Sequence, residues 1–286
     1  MELNTDTQLS VDGLRTEFIG ARSTVAVQGV TLRVAEGEVL GLVGESGCGK
    51  SVLVKSLMRI LPPNGRITQG RILWQGEDLR TASEARMREV RRTQISMIFQ
   101  NPQASLIPSR IIESHLTGVI RQRSDSTPAE ARRQSIELLE KVRIVDPERV
   151  LRLYPFECSG GMCQRILIAM ALVGRPKLLI ADEPTTSLDV TIQAQIIRLL
   201  MELKAEFRMS ILFVSHDLGV VGTICDRVAV MFRGQIVETA VTAALFRAPA
   251  HHYSRELLES SALFHGGWHG APNGSLSASL PASDCQ

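Results

Sequence analysis

The chain has 286 residues, a formal net charge of +2, and 44% hydrophobic against 22% charged residues, a composition that buries a substantial core and excludes wholesale disorder. The near balance of charge argues against a strong field toward nucleic acid or anionic lipid, so any anion site must be local. The opening MELNTDTQLS lacks the basic and apolar regions of a secretion signal, no run reaches the roughly 18 apolar residues of a membrane helix, and five cysteines without a CxxC pair give neither a disulfide framework nor a zinc site.

In chain order, residues 9–32 read as a short antiparallel sheet broken at Gly13, Gly20 and Gly29. A turn at 36–38 leads into the apolar run 39–43, a buried strand. Residues 50–60 then carry apolar side chains at helical spacing, up to the breaker Pro62-Pro63-Asn64-Gly65. Strands are expected at 71–74 and 95–99, with a charged helix over 83–92 between them. From 101 to 173 helical signals dominate, with Pro128 opening a helix that runs to 142 and another over 159–172, so this stretch reads as a helical insertion. Beyond it strands at 178–181, 211–214 and 227–232 alternate with helices at 190–207 and 218–224, the pattern of an α/β fold with a mostly parallel sheet. After 263 a segment rich in Gly, Ser, Ala and Pro reads as a disordered tail.

The chemistry starts at Gly44-Glu45-Ser46-Gly47-Cys48-Gly49-Lys50-Ser51, which fits G-x-x-x-x-G-K-[ST] and falls between a buried strand and a helix start. Such a loop turns consecutive backbone N–H groups toward a polyphosphate at the positive end of the helix dipole. Lys50 is placed for the β and γ phosphates and the Ser51 hydroxyl for Mg²⁺. The apolar strand 178–181 runs into Asp182 and Glu183. At the carboxyl end of a parallel strand, Asp182 is a candidate metal ligand and Glu183 a candidate for orienting the attacking water, whereas the plainer reading is a solvated strand end. His216 follows the strand 211–214. A lone histidine is usually structural, but its place at the same sheet edge points to the γ-phosphate. Gln100, after the strand 95–99, reaches the metal or the water by the same argument. Ser159-Gly160-Gly161 opens an apolar helix, either as a plain N-cap or as a second set of backbone anion donors.

The order of these motifs, with Ser187-Leu188-Asp189 between the acids and the histidine, closely resembles the ATP-binding cassette (ABC) family, and the match runs from about residue 9 to 263. The resemblance implies a P-loop NTPase core with an N-terminal antiparallel β subdomain and a helical subdomain inserted at about 101–173. It implies head-to-tail pairing of two cassettes, with Ser159, Gly160 and Gly161 contacting the ATP of the partner and the Asp189 loop crossing between them. Gln100 would link nucleotide to membrane subunits, His216 would be the switch histidine, and Phe18 is the candidate to stack on adenine. The stretches 98–106 (IFQNPQASL), 154–157 (YPFE), 159–165 and 181–188 (ADEPTTSL) resemble the peptide and nickel importer ATPases. Those cassettes act at the cytoplasmic face of the inner membrane with a second, non-identical cassette, two permeases and an extracytoplasmic binding protein. Cys158 and Met162 depart from the family signature. The tail holds only Cys285, unlike the cysteine-rich ends of many oligopeptide members, which shifts weight toward nickel and metallophore importers.

A soluble cassette ATPase acting on DNA or the ribosome is the main rival, and a cassette for another substrate class, such as a lipid or drug exporter, is the third reading, disfavoured by the missing fused membrane domain and by the subfamily motifs. DNA-repair members carry long coiled coils between loop and signature, but only 108 positions separate Ser51 from Ser159, without sustained heptads. Ribosome-acting members usually hold two cassettes in one chain, and no nucleic-acid partner is expected. Finally, Cys48 sits near a helix N-terminus and Lys50, both of which favour the thiolate. Thiol reagents are then expected to inactivate and MgATP to protect, the plainer reading being a small residue that the loop tolerates.

Overall fold

The computed structural model describes residues 7–20, 23–186 and 188–261. The expected tail, with Cys285, and Ser187 lie outside them. The chain forms β1 (Thr7–Phe18), β2 (Thr24–Ala35), β3 (Val39–Val43), α1 (Lys50–Leu57), β4 (Gly65–Trp74), β5 (Glu77–Asp78), α2 (Glu84–Thr93) and β6 (Ile95–Ile98). The helical stretch follows as α3 (Pro102–Ser105), α4 (Ile112–Arg123), α5 (Pro128–Lys141), α6 (Pro147–Leu151) and α7 (Gly160–Leu172). The rest is β7 (Leu178–Asp182), α8 (Val190–Phe207), β8 (Ser210–Val214), α9 (Leu218–Ile224), β9 (Arg227–Phe232), β10 (Gln235–Val241), α10 (Thr242–Arg247) and α11 (His252–Ser260).

Two sheets result. An antiparallel one has the order β2-β1-β4-β5, and a six-stranded one has the order β10-β9-β3-β8-β7-β6, parallel except for β10. Strands β3, β7 and β8 are buried throughout, and their period-two alternation sorts side chains to opposite faces. Leu40, Leu42, Ile180, Leu212 and Val214 pack with α1, α2 and the antiparallel sheet. Val39, Val43, Leu179, Ala181, Ile211 and Phe213 pack with α7, α8 and α9. Because β3, β8, β7 and β6 are parallel neighbours, the residues that follow them share one sheet edge.

Local departures from expectation have local causes. Gly13 and Gly29 do not break the first strands. They sit at φ +59° and +66° where the β1–β2 register shifts, so they form a bulge within a continuous ladder. Helix α1 ends at Leu57 instead of 60, because Arg59 turns left-handed (φ +50°) and its guanidinium bonds the Leu79 and Ala82 carbonyls. Strand β4 starts at Gly65, not 71; its first half is mostly exposed and holds Ile67 as its one apolar side chain, too little for a period-two signal. The elements β10, α10 and α11 were not anticipated. The helix opened by Pro128 has its reason in Thr127, whose side chain and Glu130 complete a capping box.

Candidate functional site

The glycine loop joins β3 to α1. Gly44 (φ +152°) has no room for a side chain, since a Cβ would lie 2.2 Å from the Met231 carbonyl oxygen. Gly49 (φ +112°) N-caps α1, and a Cβ there would lie 2.5 Å from the Ala26 carbonyl oxygen. With glycine at the cap and no acid in the first turn, the leading amides of α1 have no side-chain acceptor and face the loop as anion donors. The buried Lys50 ammonium donates to the carbonyls of Gly44 (2.7 Å) and Glu45 (2.9 Å). The ring of the half-buried Phe18 lies over Gly65, a Cβ on which would come 3.1 Å from the Phe18 ring.

At the adjacent strand ends, the Ser51 hydroxyl donates to Asp182 Oδ1 at 3.1 Å. Asp182 is buried, and desolvation raises its carboxyl above the usual range, augmented by the neighbouring Glu183 charge and opposed by Ser51, Lys55 and Lys50. A buried carboxylate and a hydroxyl are hard oxygen donors, a set that suits a magnesium ion. Glu183 holds a left-handed backbone (φ +48°) and donates its N–H to the Val214 carbonyl (3.0 Å), which ties it to the end of β8. Its Oε2 accepts from Gln100 Nε2 (2.8 Å) and from the Thr186 hydroxyl (2.9 Å), and its Oε1 lies 3.5 Å from His216 Nδ1. Four strand ends therefore bring Lys50, Ser51, Gln100, Asp182, Glu183 and His216 to one edge. Thr186 was missed in the sequence although it stands three residues after Glu183, where a tight turn returns its hydroxyl to the carboxylate.

Ser159 caps α7, accepting from the Met162 N–H (3.2 Å), and Asp189 caps α8, accepting from the Ile192 N–H (2.9 Å). Gly161 lets the two helices approach, since a Cβ would meet Ile192 Cγ2 at 2.8 Å. Among the described residues, no hydrogen bond joins Ser159, Gly160, Gly161 or Asp189 to the glycine loop.

The thiol expectation is reversed. Burial is the largest influence on Cys48 and pushes its thiol up, outweighing the nearby Lys50 ammonium. Cys158 is also raised by burial, and Cys163 is pushed up to about 11. All four cysteines among the described residues are free and buried. Maleimide is therefore expected to label Cys48 in the native chain at least about tenfold more slowly than in urea, because thiolate and access both limit the rate. Mass spectrometry of the labelled peptide checks this, and equal rates would restore the reactive-loop view.

The sequence profile described as "ABC transporter" matches residues 27–186, more than half of the chain. The chain belongs to the ABC transporter family. It is 49% identical over 257 residues to the probable peptide ABC transporter ATP-binding protein y4tR of Sinorhizobium fredii, covering 89% of this chain and 77% of that one. Identity to the oligopeptide transport ATP-binding protein AmiE of Streptococcus pneumoniae is 50%, over 82% of this chain and 66% of the relative. Against the peptidoglycan transport ATP-binding protein YejF of Agrobacterium fabrum it is 49%, over 90% of this chain but 47% of that protein. The cassette cbiO1 of Clostridium perfringens, part of the transporter complex cbiONQ, superposes with a TM-score of 0.72 at 28% identity, over 85% of this chain and 92% of that one. The dimeric cassette MJ0796 bound to ADP and Pi gives 0.73 at 24% identity over 82% and 98%, a likeness of fold. The protein is an ABC ATPase that binds and hydrolyses ATP, with the antiparallel β subdomain and parallel core implied by its motifs.

Proposed function

We propose that this ABC ATPase powers the import of small peptides. The observation that carries this is its near 50% identity, over most of its length, to ATP-binding proteins named for peptide transport. Nickel and metallophore import, whose ATPases the stretches 98–106 and 181–188 also resemble, is the second reading. In the proposed site Gly44, Glu45, Ser46, Gly47, Cys48, Gly49, Lys50 and Ser51 wrap the phosphates of ATP, and Phe18 stacks on adenine. Ser51 and Asp182, with Gln100, hold Mg²⁺, which neutralises phosphate charge when bound. Glu183 orients the attacking water, and His216 acts as the switch at the γ-phosphate. Ser159, Gly160, Gly161 and Asp189 serve the facing cassette, which suits the absence, among the described residues, of hydrogen bonds from them to this chain's own loop.

The partners proposed are a second, non-identical cassette, two permeases and an extracytoplasmic binding protein, with the chain peripheral on the cytoplasmic face of the membrane. No helix among the described residues is long and apolar enough to cross a membrane. Exposed apolar side chains, one next to Gln100 in sequence and the others on two loops of the helical stretch, support a permease contact. Phe99, Ile107, Tyr154 and Phe156 are exposed, Tyr154 and Phe156 stack at 5.4 Å, and the Ile112 N–H bonds the Leu153 carbonyl and holds the two loops side by side.

The test is reconstitution. The isolated chain completes neither composite site, so its ATPase rate is expected to be at least about tenfold below that of the complex, a difference of about 1.4 kcal/mol in barrier. Peptide-loaded binding protein is expected to stimulate the complex further. Full, concentration-independent activity from the monomer would favour the soluble-enzyme reading, and stimulation by nickel or a metallophore in place of peptide would favour the second.

A further inference from the structure

The C-terminal segment after β9 carries no part of the phosphate machinery described above, yet it touches the glycine loop. Glu45 N–H finds no backbone carbonyl among the described residues, and its hydrogen bond goes instead to the Tyr253 hydroxyl, 3.1 Å away and 208 positions along the chain. The phenol is placed by a chain of contacts. The Glu238 carboxylate on β10 accepts from the Ala250 (2.8 Å) and His251 (3.0 Å) N–H groups and fixes the turn before α11. His251 Nδ1 then accepts from the Tyr253 N–H (3.1 Å), capping the helix. The buried Tyr253 ring rests on Phe232, with centroids 4.1 Å apart.

The Glu45 peptide is thereby gripped on both sides. Tyr253 takes the Glu45 N–H, while the Gly44 carbonyl of the same peptide group accepts from Lys50 Nζ. The other end of the loop is pinned from the same quarter, since Gly234 in the β9–β10 turn donates to the Cys48 carbonyl at 2.8 Å. A glycine-rich loop left free pays its ordering cost when it closes on a ligand, whereas one held beforehand does not.

We propose that Tyr253 is a positioning residue for the phosphate loop: its hydroxyl holds the Glu45 peptide so that the loop and Lys50 are preset for nucleotide. This rests on the reading of residues 44–51 as the phosphate loop. The contact also makes the segment 235–260 a functional part of the nucleotide site and not merely a cover on the sheet.

Tyr253→Phe keeps the ring on Phe232 and removes the acceptor. In the full chain, the MgATP dissociation constant is expected to rise about threefold to tenfold, the size of one net hydrogen bond. Amide exchange at Glu45, slow in the parent chain, is expected to accelerate while the α11 amides stay protected. An affinity within about twofold of the parent, or a Glu45 amide that already exchanges freely in the parent, would overturn the proposal. Loss of α11 protection together with the loop would also overturn it, because Tyr253 would then act only by packing the helix. Absence of MgATP binding by the parent chain would instead overturn the loop assignment itself, so the two failures are distinguishable.

Discussion

Replacing Glu183 by Gln is expected to slow ATP hydrolysis in the assembled complex by roughly 10² to 10⁴, about 3 to 5 kcal/mol of barrier, with MgATP affinity held within about twofold. The substitution is nearly isosteric, so the surroundings decide what else changes. Oε2 of Glu183 accepts from Gln100 and Thr186, and a glutamine amide oxygen can keep both bonds. The amide nitrogen then falls on the side of His216 Nδ1, 3.5 Å from the present Oε1. What is lost is a carboxylate able to orient and polarise water, while the phosphate loop on β3 and α1 is untouched. With the partner cassette's own site disabled, single-turnover hydrolysis and equilibrium nucleotide binding measured on the same preparation separate the two effects. Near-normal turnover would remove Glu183 from its proposed role.

Much of this site was legible in the sequence because its parts are local. A glycine loop between an apolar run and a helical period, and acids at the end of Leu178-Leu179-Ile180-Ala181, place themselves once the strands are parallel neighbours. The antiparallel sheet was legible as β structure, but Gly13 and Gly29 were misread as breaks, since a bulge and a turn use the same left-handed glycine. Two kinds of feature were hidden. Strand β4 begins on a mostly exposed stretch whose one apolar residue, Ile67, is too little to reveal a period of two. The Tyr253 contact depends on a hairpin and a helix folding back across 208 positions, which no spacing rule encodes. Cys48 was misjudged for a physical reason. Proximity to Lys50 and a helix end is visible in a sequence, but desolvation is not, and here desolvation is the larger influence.

Lys50→Ala is expected to weaken MgATP binding by at least about tenfold to a hundredfold, since it deletes charge-assisted bonds worth about 1.5 to 3 kcal/mol each from a desolvated loop. Hydrolysis at saturating nucleotide is not the informative readout, because the site would no longer fill. In the free chain the ammonium is buried and bonded to two carbonyls, those of Gly44 and Glu45. Its removal leaves both oxygens without that donor but also lifts the cost of keeping a desolvated cation, and the two changes oppose each other. The melting temperature is therefore expected to move little while affinity falls, the reverse of a core substitution. Lys50→Arg is expected not to restore binding, because a planar guanidinium is bulkier than an ammonium and its fork differs from the point charge held by the same two carbonyls. Equilibrium titration of the purified variants with MgATP checks both statements. Unchanged affinity in Lys50→Ala, within about twofold, would mean that the phosphates are held elsewhere, and with them would go the assignment of Ser51 and Asp182 to the metal.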